Sequence, residues 1–224
     1  MKSRWRPGPL RLAQVVLGLT LFGVGEGLVV ACELGNSPWS VFAEGIEVQT
    51  PLTIGAATLA ISAVVLLLWI PLGERRLGLG TVLNALIVSA MIDVTLWALP
   101  HLATIGVRWS ALLGGIALVG VGSGLYLTAN LGPGPRDGLM TGIHARTGWP
   151  IFAVRTGIES SAVAIGWALG GTVGVGSLLF ALLVSPAVAT ALRVSSRRAP
   201  GAAPSPTDRR TAPDRPPPAS ARHD

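Results

Sequence analysis

The 224-residue sequence predicts an all-α membrane protein: six transmembrane helices arranged as two inverted three-helix repeats, with a short interfacial or re-entrant helix after the first span of each repeat. Three observations carry this. Half of the residues are apolar and only 12% are charged, against about a quarter charged in soluble globular domains. Stretches 48–73, 109–135 and 160–192 contain no Asp, Glu, Lys or Arg at all, and a charge-free apolar run of ~18 residues or more can cross a bilayer. The third observation is internal repetition. Phe22-Gly23-Val24-Gly25-Glu26-Gly27-Leu28 recurs 97 residues later as Val119-Gly120-Val121-Gly122-Ser123-Gly124-Leu125, and Leu34-Gly35-Asn36-Ser37-Pro38 as Leu131-Gly132-Pro133-Gly134-Pro135. Further on, Gly78-Leu79-Gly80-Thr81 recurs 96 residues later as Gly174-Val175-Gly176-Ser177. Two offsets differing by one residue mark a duplicated unit rather than shared composition.

The elements follow in order. Residues 1–11 form a basic cytoplasmic N-terminus (Lys2, Arg4, Arg6, Arg11), and the apolar run after it is a retained first helix, because no small-residue cleavage pattern precedes Cys32. The first three-span repeat, 12–99, contains spans at 12–32, 52–72 and 80–99. The second, 109–193, contains spans at 109–130, 150–169 and 174–193. Turn-forming sequences separate them, such as Pro71-Leu72-Gly73, Pro100 and Gly170-Gly171. Residues 194–224 hold seven prolines and six arginines and too little apolar surface to offset ordering entropy, so they form a disordered cytoplasmic tail.

Three spans per unit make the second unit enter the membrane from the opposite side, which is inverted topology. Charge placement agrees. With the N-terminus inside, the cytoplasmic set holds the N-terminal cluster, Arg75 and Arg76, Arg136 and Arg146, and the tail arginines. The outer loop 33–51 has Glu33, Glu44 and Glu47 and no Lys or Arg. This asymmetry places both termini on the cytoplasmic side of a plasma membrane.

The segment after the first span of each repeat is too short to span. Residues 36–46 and 133–143 both open with a polar-proline start suited to a helix N-terminus (Asn36, Ser37, Pro38; Gly134, Pro135, Arg136, Asp137). Each is either an amphipathic helix in the interface or a half-helix dipping inward with its positive end towards the centre. Polar groups within the spans are the other functional candidates: Glu26 in the first, Asn84 and Asp93 in the third, and Glu159 in the fifth with Arg155 one turn before it. Each also has a structural role open to it, as an ion pair, an interhelical hydrogen bond or an interfacial group.

Composition excludes several classes. The net charge of +6 sits at the two termini and beside spans, not on a basic helix interleaved with aromatics, so nucleic acid is not a partner. One cysteine and three scattered histidines form no disulfide, metal site or catalytic cluster, and no cofactor or enzymatic activity is expected. The expected partners are the bilayer, anionic lipid at the basic termini, and a small solute or ion; a homo-oligomer is compatible with this.

The element Leu-Gly-x-[Ser/Gly]-Pro-[Trp/Arg]-[Ser/Asp], present at 34–40 and 131–137, with the Gly78-Leu79-Gly80-Thr81 start of the third span, resembles the bacterial YczE-like membrane proteins, neighbours of the YitT family. The resemblance covers about 12–193. It implies a multi-pass protein of the bacterial plasma membrane and no catalytic residues. Asn36 and Arg136 depart from the family pattern at their places, and the resemblance assigns them no role. Two functions fit: a permease working by rocking one repeat against the other, and a non-transport regulatory or scaffold protein. Inverted repeats with broken elements favour the permease, by fold analogy alone.

Overall fold

The computed structural model describes residues 4–74, 76–99 and 101–197, and these contain eight helices. In chain order they are α1 (Pro9–Ala31), α2 (Pro38–Gln49), α3 (Ile54–Leu72), α4 (Leu79–Ala98), α5 (Ile105–Thr128), α6 (Pro135–Thr147), α7 (Ile151–Ala168) and α8 (Val175–Arg197). Their ends follow the local chemistry. Proline occupies the first turn of α1, α2 and α6, where its missing N–H costs nothing. Ser37 and Thr53 cap α2 and α3, their side chains accepting from the Ser40 and Ala56 amides. Gly73 and Gly148 close α3 and α6 in the left-handed region, at φ 70° and 73°.

Five helices, α1, α3, α4, α5 and the Val175–Val194 part of α8, are long and apolar enough to cross a membrane. Large apolar side chains point outward along them, among them Leu67, Ile70, Trp97 and Leu178, which places these faces against lipid. The sixth expected span, 150–169, coincides with α7. Its 18 residues reach ~27 Å, but it carries Arg155 and Glu159 and does not meet the same apolar standard. The expected tail also needs adjustment at its start. Helix α8 continues through Val194 to Arg197, since no proline occurs between Pro186 and Pro200; residues 198–224 lie outside the described residues.

The centre of the fold is a close crossing of α1 and α5. A Cβ on Gly122 would stand 2.5 Å from the Gly18 carbonyl oxygen, and one on Gly115 would stand 2.7 Å from that of Gly25. Only glycine lets two helix backbones approach this far. Helix α4 packs on α1 and α8 on α5, again over glycines: Gly23 and Gly27 meet Met91 and Thr95, and Gly120 and Gly124 meet Ala187 and Ala191. One apolar core draws on α1–α7, including Leu19, Trp69, Ile92, Tyr126, Leu139 and Ala162, and a second joins α1, α5 and α8 around Leu112, Ile116 and Phe180.

Contacts recur with partners exchanged at the sequence offset. The Gly80 amide donates to the Leu131 carbonyl (3.0 Å), and the Gly176 amide to the Leu34 carbonyl (2.7 Å). The chain leaves α1 through Glu33 (φ 53°) and Gly35 (φ 114°), and leaves α5 through Asn130 (φ 54°) and Gly132 (φ 121°). Helix α2 packs on α7, and α6 on α3. In the second of these pairs the Trp69 indole donates to the Pro135 carbonyl at 3.0 Å.

Side-chain bonds fasten both short helices. On α2, the Glu44 carboxylate accepts from Asn36 Nδ2 (2.8 Å), the Thr172 amide (2.5 Å) and Thr172 Oγ1 (2.8 Å), tying the α7–α8 loop to the helix. On α6, Arg146 donates to the Pro71 carbonyl and Thr141 Oγ1 to Glu74 at 3.2 Å. A bidentate hydrogen bond from Arg76 holds the Glu74 carboxyl below the usual carboxylate range.

Candidate functional site

The N-terminal ends of α2 and α6 reach one polar cavity of about 230 Å³ in the middle of the helices. Its centre is Glu26, contributed by α1 and 1% exposed. The hydroxyls of Ser37 and Ser40 both donate to Glu26 Oε2 at 2.7 Å. Ser37 is the N-cap and Ser40 lies in the first turn, so the carboxylate sits on the positive end of α2, where charge is stabilised. Without such donors a carboxylate at this burial is costly.

The second short helix is built differently at the same place. Asp137, in the first turn of α6, accepts from the Tyr126 hydroxyl of α5 at 2.7 Å. Positions 26 and 123 correspond at the repeat offset, and so do 40 and 137. In the first half the carboxylate is on the long helix (Glu26) and a hydroxyl on the short one (Ser40); in the second half Ser123 and Asp137 reverse this. Positions 39 and 136 correspond as well, and here the two meet: the Arg136 guanidinium lies over the Trp39 ring, 4.9 Å from its centroid. The carboxylates acting most strongly on Arg136 are Glu26, Asp137 and Glu159. Among the described residues none lies within ion-pairing distance of it.

Helix α7 adds Arg155 and Glu159, paired at 2.9 Å. Asn84 of α4 reaches the wall beside Gly134, and Thr58, Ser62 and Ser123 add hydroxyls. Thr58 is 3% exposed, and its Oγ1 has no hydrogen-bond partner among the described residues. Phe22, Val119 and Phe180 supply apolar wall, with Phe22 edge-on to Tyr126 at 6.4 Å between centroids.

Of the residues singled out in the sequence, Glu26, Asn84, Arg155, Glu159, Ser37, Pro38, Gly134, Arg136 and Asp137 line this cavity. Asp93 stands apart. It accepts from Thr53 Oγ1 (2.6 Å) and the Gly55 amide (2.8 Å) and so caps α3. Asn36 is buried behind the cavity on Glu44, and Pro135 is buried against Trp69. Sequence reasoning did not select Ser40, Thr58, Ser62, Ser123 or Tyr126 for the site. Thr58 and Ser62 lie one turn apart in an apolar span, and that spacing was the available signal.

Comparison with known proteins gives a consistent picture. Residues 9–193 match the model of a family described as "Family of unknown function (DUF6198)". An uncharacterized protein of Haemophilus influenzae (strain ATCC 51907 / DSM 11121 / KW20 / Rd) is 40% identical over 195 residues, 87% of this chain and 89% of that one. The uncharacterized membrane protein YczE of Bacillus subtilis (strain 168) is 33% identical over 175 residues, 78% of this chain and 81% of its own. The uncharacterized protein YyaS of the same organism is 25% identical over 166 residues, 73% and 83% of the two chains. No solved structure matches.

Proposed function

The chain belongs to the family of unknown function DUF6198, with the YczE-like membrane proteins, and we propose that it is a small-solute permease of the bacterial plasma membrane. One observation carries the reading. Two short helices at corresponding places of the repeat bring their N-termini to one cavity: Ser37 of α2 bonds the buried Glu26 carboxylate there, and α6 brings Arg136 and Asp137. Half-helices ending at a central site are how many carriers hold solutes, because the end of a helix supplies unpaired N–H groups in a water-poor setting.

In this reading the molecule has six spans, α7 being the sixth, in two inverted repeats, with both termini cytoplasmic. Helices α2 and α6 are re-entrant. The exchanged contacts between the halves support it: Gly18–Gly122 is matched by Gly115–Gly25, and Gly80–Leu131 by Gly176–Leu34. Helix α7 brings Arg155 and Glu159 to the cavity, while its exposed Phe152, Ile165 and Trp167 give it an apolar outer side suited to lipid. Transport then proceeds by rocking one half against the other about the α1–α5 crossing, with Glu26, Asn84, Arg136, Asp137, Arg155 and Glu159 facing the solute.

The test is reconstitution of the purified chain in liposomes, incubation with an isotope-labelled bacterial metabolite extract, and mass spectrometry of the lumen. Wild type should accumulate or exchange at least one solute that Glu26→Gln and Arg136→Gln liposomes do not. If the wild-type lumen matches that of protein-free liposomes, the permease reading fails.

A further inference from the structure

We infer that the cavity binds a small zwitterion, one carboxylate and one ammonium on a compact skeleton, as in a free amino acid; this rests on the permease reading and specifies its solute. The first argument is the state of each charge. Arg155 and Glu159 satisfy one another at 2.9 Å. Arg136 is stacked by one face on Trp39 and, among the described residues, has no hydrogen bond or ion pair at its N–H edge. A guanidinium with a free edge presents the fork that fits a carboxylate.

The same cavity offers the opposite charge. Glu26 takes both of its hydroxyl donors on Oε2, and Asp137 takes Tyr126 on Oδ2. The second oxygen of each acid accepts nothing among the described residues, and both residues line the cavity. A purely anionic solute would leave two carboxylates facing it, and a purely cationic one would leave Arg136 facing it. A zwitterion meets both. A third, independent observation points to a ligand: Thr58 Oγ1, on a side chain 3% exposed and in the cavity wall, has no partner of its own. Buried hydroxyls are ordinarily bonded, and a polar solute here would complete the set.

Size sets the limit. About 230 Å³ is the share of roughly seven or eight water molecules at ~30 Å³ each. A free amino acid fits within it. The aromatic wall of Phe22 and Trp39 gives its side chain an apolar neighbour.

The experiment is a thermal-shift series on the detergent-purified full chain, followed by isothermal titration. The probes are the common free amino acids, and for any that shifts the midpoint, the amine lacking its carboxylate and the acid lacking its ammonium. At least one amino acid should raise the midpoint by a few degrees at concentrations well above its Kd, and both half-molecules should bind about ten-fold or more weakly. Arg136→Lys keeps the charge but loses the fork, and should also weaken binding about ten-fold or more; Thr58→Val should weaken it with the unliganded midpoint unchanged. Equal binding of the acid alone, equal binding of the amine alone, or no shift with any amino acid overturns the inference. The permease reading is separable from it. Zwitterion binding without flux into liposomes would sink the carrier and keep the ligand, and flux of a non-zwitterion would do the reverse.

Discussion

Arg155 and Glu159 show how one residue pair divides structure from function. They sit at i and i+4 on α7, bonded at 2.9 Å, and each is also partly open to the cavity. Glu159→Gln removes the ion-pair partner of Arg155, so the apparent Tm should fall slightly, and the further change Arg155→Met should restore part of the loss. The coupling from the double-mutant cycle should be about 0.2–1 kcal/mol, as for a half-exposed i,i+4 pair. Transport is the other readout. If Glu159 also meets the solute, the double mutant should recover stability without recovering flux; wild-type flux in Glu159→Gln would remove the residue from the pathway.

At the scale of elements, the short helices make a topological prediction. With Cys32 first replaced by Ser, a cysteine at exposed Thr50, after α2, should react in whole cells with a membrane-impermeant thiol reagent. One at exposed Arg76, between α3 and α4, should react only after lysis. Labelling of Arg76→Cys from outside would overturn the inverted arrangement. The long elements were legible in the sequence because glycine, proline and charge punctuate them: spans placed at 52–72 and 80–99 coincide with α3 and α4 within two residues. The short helices were legible only as helix starts at Ser37-Pro38 and Gly134-Pro135. Whether they lay on the surface or between other helices depends on Trp69 and the backbone around Gly166, contacts made across more than sixty residues and invisible to local pattern. The site was half legible for the same reason. Charges within an apolar run stand out, so Glu26 and Glu159 are conspicuous in the sequence, and both line the cavity. Hydroxyls do not stand out, so Ser40, Thr58 and Tyr126 were missed. Asp93, another carboxylate conspicuous in the sequence, stands off the cavity and caps α3.

Among the described residues the helices are held from the α1–α5 crossing outward, and the buried members of both core clusters lie between residues 15 and 184. Removal of residues 199–224 should therefore leave the apparent Tm within about 1 °C of wild type, since the deleted sequence has no apolar face to dock. Arg193, Arg197 and Arg198 stay to orient the last span. A fall of several degrees in the purified truncation would show that the tail packs on the helices.

The reversal of acid and hydroxyl between the halves bears on timing. A rocking machine with two chemically identical halves would divide its idle time equally between its two openings, as a balanced see-saw does. Here one half holds its acid on a long helix through two serines, and the other holds it on a short helix through a single tyrosine. In the proposed permease, opening one way and opening the other would strain different bonds, and its empty state would favour one side.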